Sequence, residues 1–166
     1  MPLNRHEFAC LCAGLCAVLV CGGPAWAAPT CGITATPMVF GNYDPLSGSP
    51  VLLTSTVTVT CITLSAPIAA IPYTLSLGAS QTSGTMSRSL AGPLGARLQY
   101  NLYTSAGRTV VWGNGSGGTQ TVGSSVTPAG LGIPATKGHT VHGRLPAQQN
   151  VRVGAYADSV IVTIDY

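Results

Sequence analysis

Charge is what this chain has least of. Lys, Arg, Asp and Glu together make up 7% of its 166 residues, against about 25% in an ordinary soluble domain. The formal net charge of +3 is spread thinly, with no basic run, so nucleic-acid binding, which needs a clustered cationic face, has no support. Beyond the first 27 residues the only carboxylate side chains are Asp44, Asp158 and Asp165, and the only histidines are His139 and His142. Asp44 and Asp158 each adjoin a turn or a strand start, where aspartate caps backbone groups. Nothing in the sequence brings them together as an acid/base pair. His139 and His142 are three apart, which on a strand puts their rings on opposite faces. Without a third ligand they read as solvated histidines, not as a metal site. Serine is abundant, but no G-x-S-x-G elbow occurs, and Lys137-Gly138 lacks the glycine spacing of a P-loop. The reading is of a non-enzyme without metal or cofactor.

Helix formers are scarce too, whereas the chain holds 21 glycines and 12 prolines. The first 27 residues stand apart. A short polar start with Arg5 and His6 precedes an apolar run, Ala9 to Gly23, and then Ala25-Trp26-Ala27. This is the pattern of a secretory signal peptide cleaved after Ala27, and the run is short for a membrane span of about 20 residues. Cys16 and Cys21 lie in the run, but Leu15 and Val20 stand where a lipid-modified cysteine is usually preceded by a small residue. Residues 28–166 would then form one exported domain with no membrane span. Cys10, Cys12, Cys16 and Cys21 leave with the leader, and Cys31 and Cys61 remain. The export context predicts that these two pair as a disulfide.

The mature chain reads as six to eight short antiparallel strands in an all-β sandwich. Ile33–Phe40 is the first, interrupted by Pro37. Leu53–Cys61 alternates cleanly, with Val57, Val59 and Cys61 on one face and threonines on the other. Ile71, Tyr73, Leu75 and Leu77 form the next inward row. Residues 78–95 read as a polar loop, Ala96–Thr104 as a strand, and Thr109–Trp112 with Thr119–Val122 as a pair across a Gly-rich turn. Residues 123–139 read as loop, and Thr140–Ala147 and Asp158–Tyr166 as the last strands. Arg88, Arg97, Arg108, Arg144 and Arg152 are scattered, as single surface charges or as clasps on loop carbonyls. Tyr100, Tyr103 and Trp112 could form a sugar platform, but cross-strand packing is the plainer expectation.

The last stretch is the most strongly patterned. From Ser159 on, Val160, Val162, Ile164 and Tyr166 point to one side, and Ile161, Thr163 and Asp165 to the other. A strand this apolar wants neighbours on both edges. The sequence ends there, which predicts an edge left for a strand from elsewhere.

Cys31 and seven longer pieces carry a resemblance. They begin at Cys31 and Val39-Phe40-Gly41-Asn42-Tyr43-Asp44-Pro45, followed by Val57-Thr58-Val59-Thr60-Cys61 and Tyr73-Thr74-Leu75-Ser76-Leu77-Gly78. Leu98-Gln99-Tyr100-Asn101-Leu102-Tyr103 and Val111-Trp112-Gly113-Asn114-Gly115 come next. The last are His142-Gly143-Arg144-Leu145-Pro146-Ala147-Gln148-Gln149 and Gly154-Ala155-Tyr156-Ala157-Asp158-Ser159-Val160. In this order they resemble the spore coat protein U domain family, to which subunits of archaic chaperone–usher pili belong.

The resemblance implies an incomplete immunoglobulin-like antiparallel β-sandwich lacking its final strand. It implies three kinds of partner: a periplasmic chaperone that lends a strand, an outer-membrane usher, and neighbouring pilin subunits whose N-terminal segments replace the lent strand. The chaperone contact and strand-exchange groove would lie along Ser159, Val160, Ile161, Val162, Thr163, Ile164, Asp165 and Tyr166. The role would be cell-surface adhesion and biofilm formation. One departure concerns the donor. Cleavage after Ala27 leaves Ala28, Pro29 and Thr30 ahead of Cys31, too few to span a strand of about 5 residues. The expectation is a subunit that accepts a strand without donating one, as at a fibre tip. The alternatives are a self-closed coat or matrix protein, and a secreted carbohydrate-binding protein or hydrolase.

Overall fold

The computed structural model describes residues 27–41 and 43–166. The leader assigned to residues 1–27, with its four cysteines, lies outside them but for Ala27. Nine strands follow: β1 (Thr30–Ala35), β2 (Val51–Ile62), β3 (Ile71–Ser80), β4 (Ser89–Ala91), β5 (Arg97–Gln99), β6 (Asn101–Tyr103), β7 (Val122–Val126), β8 (Ala135–Leu145) and β9 (Val160–Asp165). One sheet runs β1-β2-β8-β6, the facing sheet β7-β3-β9, and β4-β5 form a separate hairpin. Every pairing between these strands is antiparallel. The molecule is an all-β sandwich.

The period of two builds it. In β2 the side chains of Val57, Val59 and Cys61 are buried while threonines alternate outward. In β3 the inward row Ile71, Tyr73, Leu75 and Leu77 is buried throughout. The two rows face each other across the core with Val141 and Leu145 of β8 and Leu102 of β6. Cys31 of β1 lies directly opposite Cys61 of β2 in the ladder, and the two are joined as a disulfide. Closing a loop of 30 residues restricts the unfolded chain and stabilises by about 3–4 kcal/mol in the chain-entropy view.

Several boundaries differ from those read in the sequence. The first strand spans Thr30–Ala35, not Ile33–Phe40. Thr36 still donates to the Thr56 carbonyl, but Pro37 has no N–H to continue the ladder. Residues 123–139 are not a loop. They hold nearly all of β7 and the first part of β8, where Ala135–Gly138 pairs with Thr58–Cys61. The apolar pattern missed this stretch because Thr136, Lys137 and Gly138 all face solvent. The polar 78–95 stretch contains β4 and the end of β3. The strand read at Ala96–Thr104 is broken at Tyr100 into β5, which pairs with β4, and β6, which pairs with β8. Around Val111, Trp112 and Gln120 there are isolated bridges and no strands.

Candidate functional site

β9 hydrogen-bonds to β3 and to no other strand, with Ile164 opposite Leu75 and Val162 opposite Leu77. β1 is paired to β2 alone. Their free edges come together along one side of the sandwich. A groove opens between them, with a cavity of about 240 Å³ floored by Val57, Leu77, Leu102 and Val141. Among the described residues no backbone ladder covers it.

Burial marks the same place. Inward residues at the centres of β2, β3 and β8 are buried. Val160, Val162 and Ile164 of β9, and Cys31 and Ile33 of β1, point the same way yet remain half-buried. Ile161, Thr163 and Asp165 face outward, with Ile161 61% exposed. Ser159 is exposed and precedes the strand. Tyr166 follows the strand, 56% exposed. It lines a different cavity, with Ala27, Ala28, Pro29 and Ile71, and not the groove.

One end of the groove is polar. Asp158 accepts the Thr82 N–H at 3.0 Å and the Tyr100 hydroxyl at 2.7 Å. Burial by itself would raise its pKa, but hydrogen bonds from Ser80, Tyr100 and Thr82 outweigh that and hold the carboxyl below its ordinary value. Burial pushes the Tyr100 hydroxyl up, and its bond to Asp158 adds to the shift. Phe40 meets the Tyr100 ring edge-on at 5.7 Å.

Behind Tyr100 stands Arg88, with 0% exposure. It donates to the Asn101 side chain at 2.8 Å and to the carbonyls of Gly78 at 2.7 Å and Trp112 at 3.0 Å. Arg88 is thus a clasp on carbonyls and not a surface charge. Burial lowers its pKa, opposed by the nearby Tyr100 and Asp158. The clasp ties β3, β6 and the Trp112 segment together beneath the groove. The sequence reading did not join these residues. The available signal was a lone cation in a Gly- and Ser-rich stretch of a chain with very few charges.

The remaining candidates have structural partners. Trp112 is 1% exposed and donates its ring N–H to the Leu75 carbonyl, and Tyr100 is buried, so these aromatics pack the core. Tyr103 is half-buried in β6. Asp44 accepts the Leu46 N–H in a local turn. His139 is not a solvated histidine. It faces the core, with its Nε2 2.8 Å from the Tyr73 hydroxyl, and so links β8 to β3 across the two sheets. His142 lies on the other face of β8. Among the described residues no three His, Cys, Asp or Glu side chains cluster as metal ligands, and no helix is long and apolar enough to cross a membrane.

Two antiparallel sheets with an uncovered apolar seam beside the last strand define the class: an incomplete immunoglobulin-like β-sandwich. The chain belongs to the Spore Coat Protein U domain family, which matches residues 17–163. It is 31% identical over 133 residues to Protein U of Myxococcus xanthus, covering 76% of this chain and 70% of that protein. Its fold is similar to a chain in the crystal structure of the CsuC-CsuE chaperone-tip adhesion subunit pre-assembly complex, from archaic chaperone-usher Csu pili of Acinetobacter baumannii. The TM-score is 0.56 and the identity 17%, over 84% of this chain. This chain spans 40% of the length of that one.

Proposed function

We propose that the protein is an exported structural subunit of an archaic chaperone–usher pilus, joined to its neighbours by donor-strand exchange, and not an enzyme. The observation that carries this reading is the free edge of β9 beside an apolar groove. A strand laid there would continue the β7-β3-β9 sheet, and its alternate side chains would fill the groove. The partners are a periplasmic chaperone that lends the first strand, an outer-membrane usher, and a neighbouring subunit that supplies the final strand. The leader is removed after Ala27, residues 28–166 fold as one domain, and the assembled fibre serves surface adhesion and biofilm formation.

The test is co-expression in a periplasm with candidate chaperones. One of them should keep the exported chain soluble, and a donor strand fused after Tyr166 should do the same. Monomeric, cooperatively folding protein without either would sink the proposal. That outcome would favour a second reading, a coat protein with a self-closed sandwich; its coat part takes support from the description of the family, Spore Coat Protein U domain. Immunogold labelling of fibres distinguishes a shaft subunit from a tip subunit.

A further inference from the structure

A second cavity, of about 650 Å³, opens beside the groove and beneath residues 151–157. Its floor reaches Leu98 and Leu145, both buried in the core. Met38, Phe40, Leu90 and Asp158 line both spaces. The cavity and the groove therefore adjoin along a shared wall, just ahead of Val160.

The roof of this chamber packs against a neighbouring turn. Tyr156 packs so closely on Gly92 that a Cβ there would lie 2.2 Å from its ring, and the Tyr156 hydroxyl donates to the Arg152 carbonyl at 2.7 Å. Pro93 sits as tightly on Gly154, where a Cβ would lie 2.3 Å from the proline ring. These two contacts pack the roof against the turn at residues 92–95.

We propose that the strand-accepting site continues past Asp158 into this chamber, and that the incoming strand carries one or two bulky apolar side chains to fill it. The inference rests on the strand-exchange reading. An apolar cavity of about 150 Å³ already accepts a benzene ring, so a space of this size takes a phenylalanine or leucine side chain. The partner is then a segment of two parts. Six alternating residues ladder with Val160–Asp165, and an apolar end enters between Met38, Phe40 and Leu90. The ionised Asp158 at the junction disfavours an acidic residue there.

The test uses the full exported chain, refolded with its disulfide in the presence of synthetic peptides. All contain Val-Thr-Val-Thr-Val-Thr, extended at one end or the other by Leu-Phe or by Ser-Ser. Release rates are followed by fluorescence. The Leu-Phe extension at the end that reaches Asp158 should slow release about tenfold or more relative to Ser-Ser. Ala155→Trp, which fills the chamber from its roof, should remove that gain and leave the Ser-Ser peptide unchanged. Ala157→Trp provides a second filling variant should the first fail to fold. Similar release of Leu-Phe and Ser-Ser peptides, with both bound, overturns the chamber and leaves the groove reading standing. No binding by any peptide overturns both.

Discussion

The side-chain amide of Gln149 docks on the main chain of Gln99 as a neighbouring strand would. Its Oε1 accepts the Gln99 N–H at 2.7 Å, and its Nε2 donates to the Gln99 carbonyl at 2.8 Å. Tyr43 holds it in place, accepting the Gln149 N–H at 2.7 Å and donating to the Pro146 carbonyl at 3.0 Å. β5 pairs with β4 on its other side, so one glutamine closes an edge that would otherwise offer itself for pairing.

Gln149→Ala removes both bonds, and a third from Nε2 to the Pro146 carbonyl at 3.1 Å, and should destabilise the fold by about 1–3 kcal/mol, since each such bond contributes roughly 0.5–1.5 kcal/mol net. Gln149→Glu keeps an acceptor for the Gln99 N–H but sets a carboxylate against the Gln99 carbonyl, so it should be no better than alanine. Urea unfolding of the oxidised protein measures both. Wild-type stability in Gln149→Glu would show that the donor half of the contact contributes nothing.

Arg88 supports the groove from beneath. Arg88→Ala leaves the buried carbonyl of Trp112 and the half-buried carbonyl of Gly78 without their donor, at up to about 1–3 kcal/mol for each group. The expected loss is about 3 kcal/mol or more. Arg88→Lys should not restore it, because a single ammonium cannot reproduce the planar fork that reaches Asn101 and both carbonyls. Full rescue by lysine, read from urea midpoints, would disprove this account.

The two faces of β9 should answer differently to one substitution. Val162 points into the groove and Ile161 out to solvent. Val162→Arg places a charge where an incoming strand must pack, and should abolish recovery with a chaperone or a fused donor strand. Ile161→Arg should leave recovery close to wild type. Comparable recovery of soluble protein for both variants would mean that the groove face is not where the strand binds.

Acid should weaken the fold in two stages. Burial, with Lys137 nearby, lowers the pKa of His139. Folding therefore favours its neutral form. That stability is complete above the ordinary histidine value of about 6.5 and is lost as pH falls through the lower folded value. The carboxyl of Asp158 is also held down. Folding favours its ionised form, and that share is lost only as pH falls below the ordinary carboxylate range. Urea midpoints between pH 7 and pH 2 should show both declines. His139→Asn should flatten the upper one and Asp158→Asn the lower one. Unchanged profiles in both variants would remove these groups from the account.

Much of this architecture can be read from local alternation, because burying one face of a strand imposes a period of two on its side chains. The core rows of β2 and β3 and the inward face of β9 at Val160, Val162 and Ile164 follow from it directly. Two cysteines beyond residue 27, with export expected, were enough to predict the Cys31–Cys61 bond that the structure has. Where pairing depends on a distant partner, the local pattern is silent. Ala135–Gly138 is strand because β2 lies beside it, although its side chains mostly face water. Tyr100 breaks one apparent strand in two because its neighbours pair with different sheets. Only the tertiary structure decided that Arg88, polar by type, would lie at the centre of the molecule. Carbonyls from separate segments converge there, and a buried acceptor needs a donor. The groove itself is of the same kind. Its floor comes from β2, β3, β6 and β8, and it exists because two free edges, far apart in the chain, were brought to the same side.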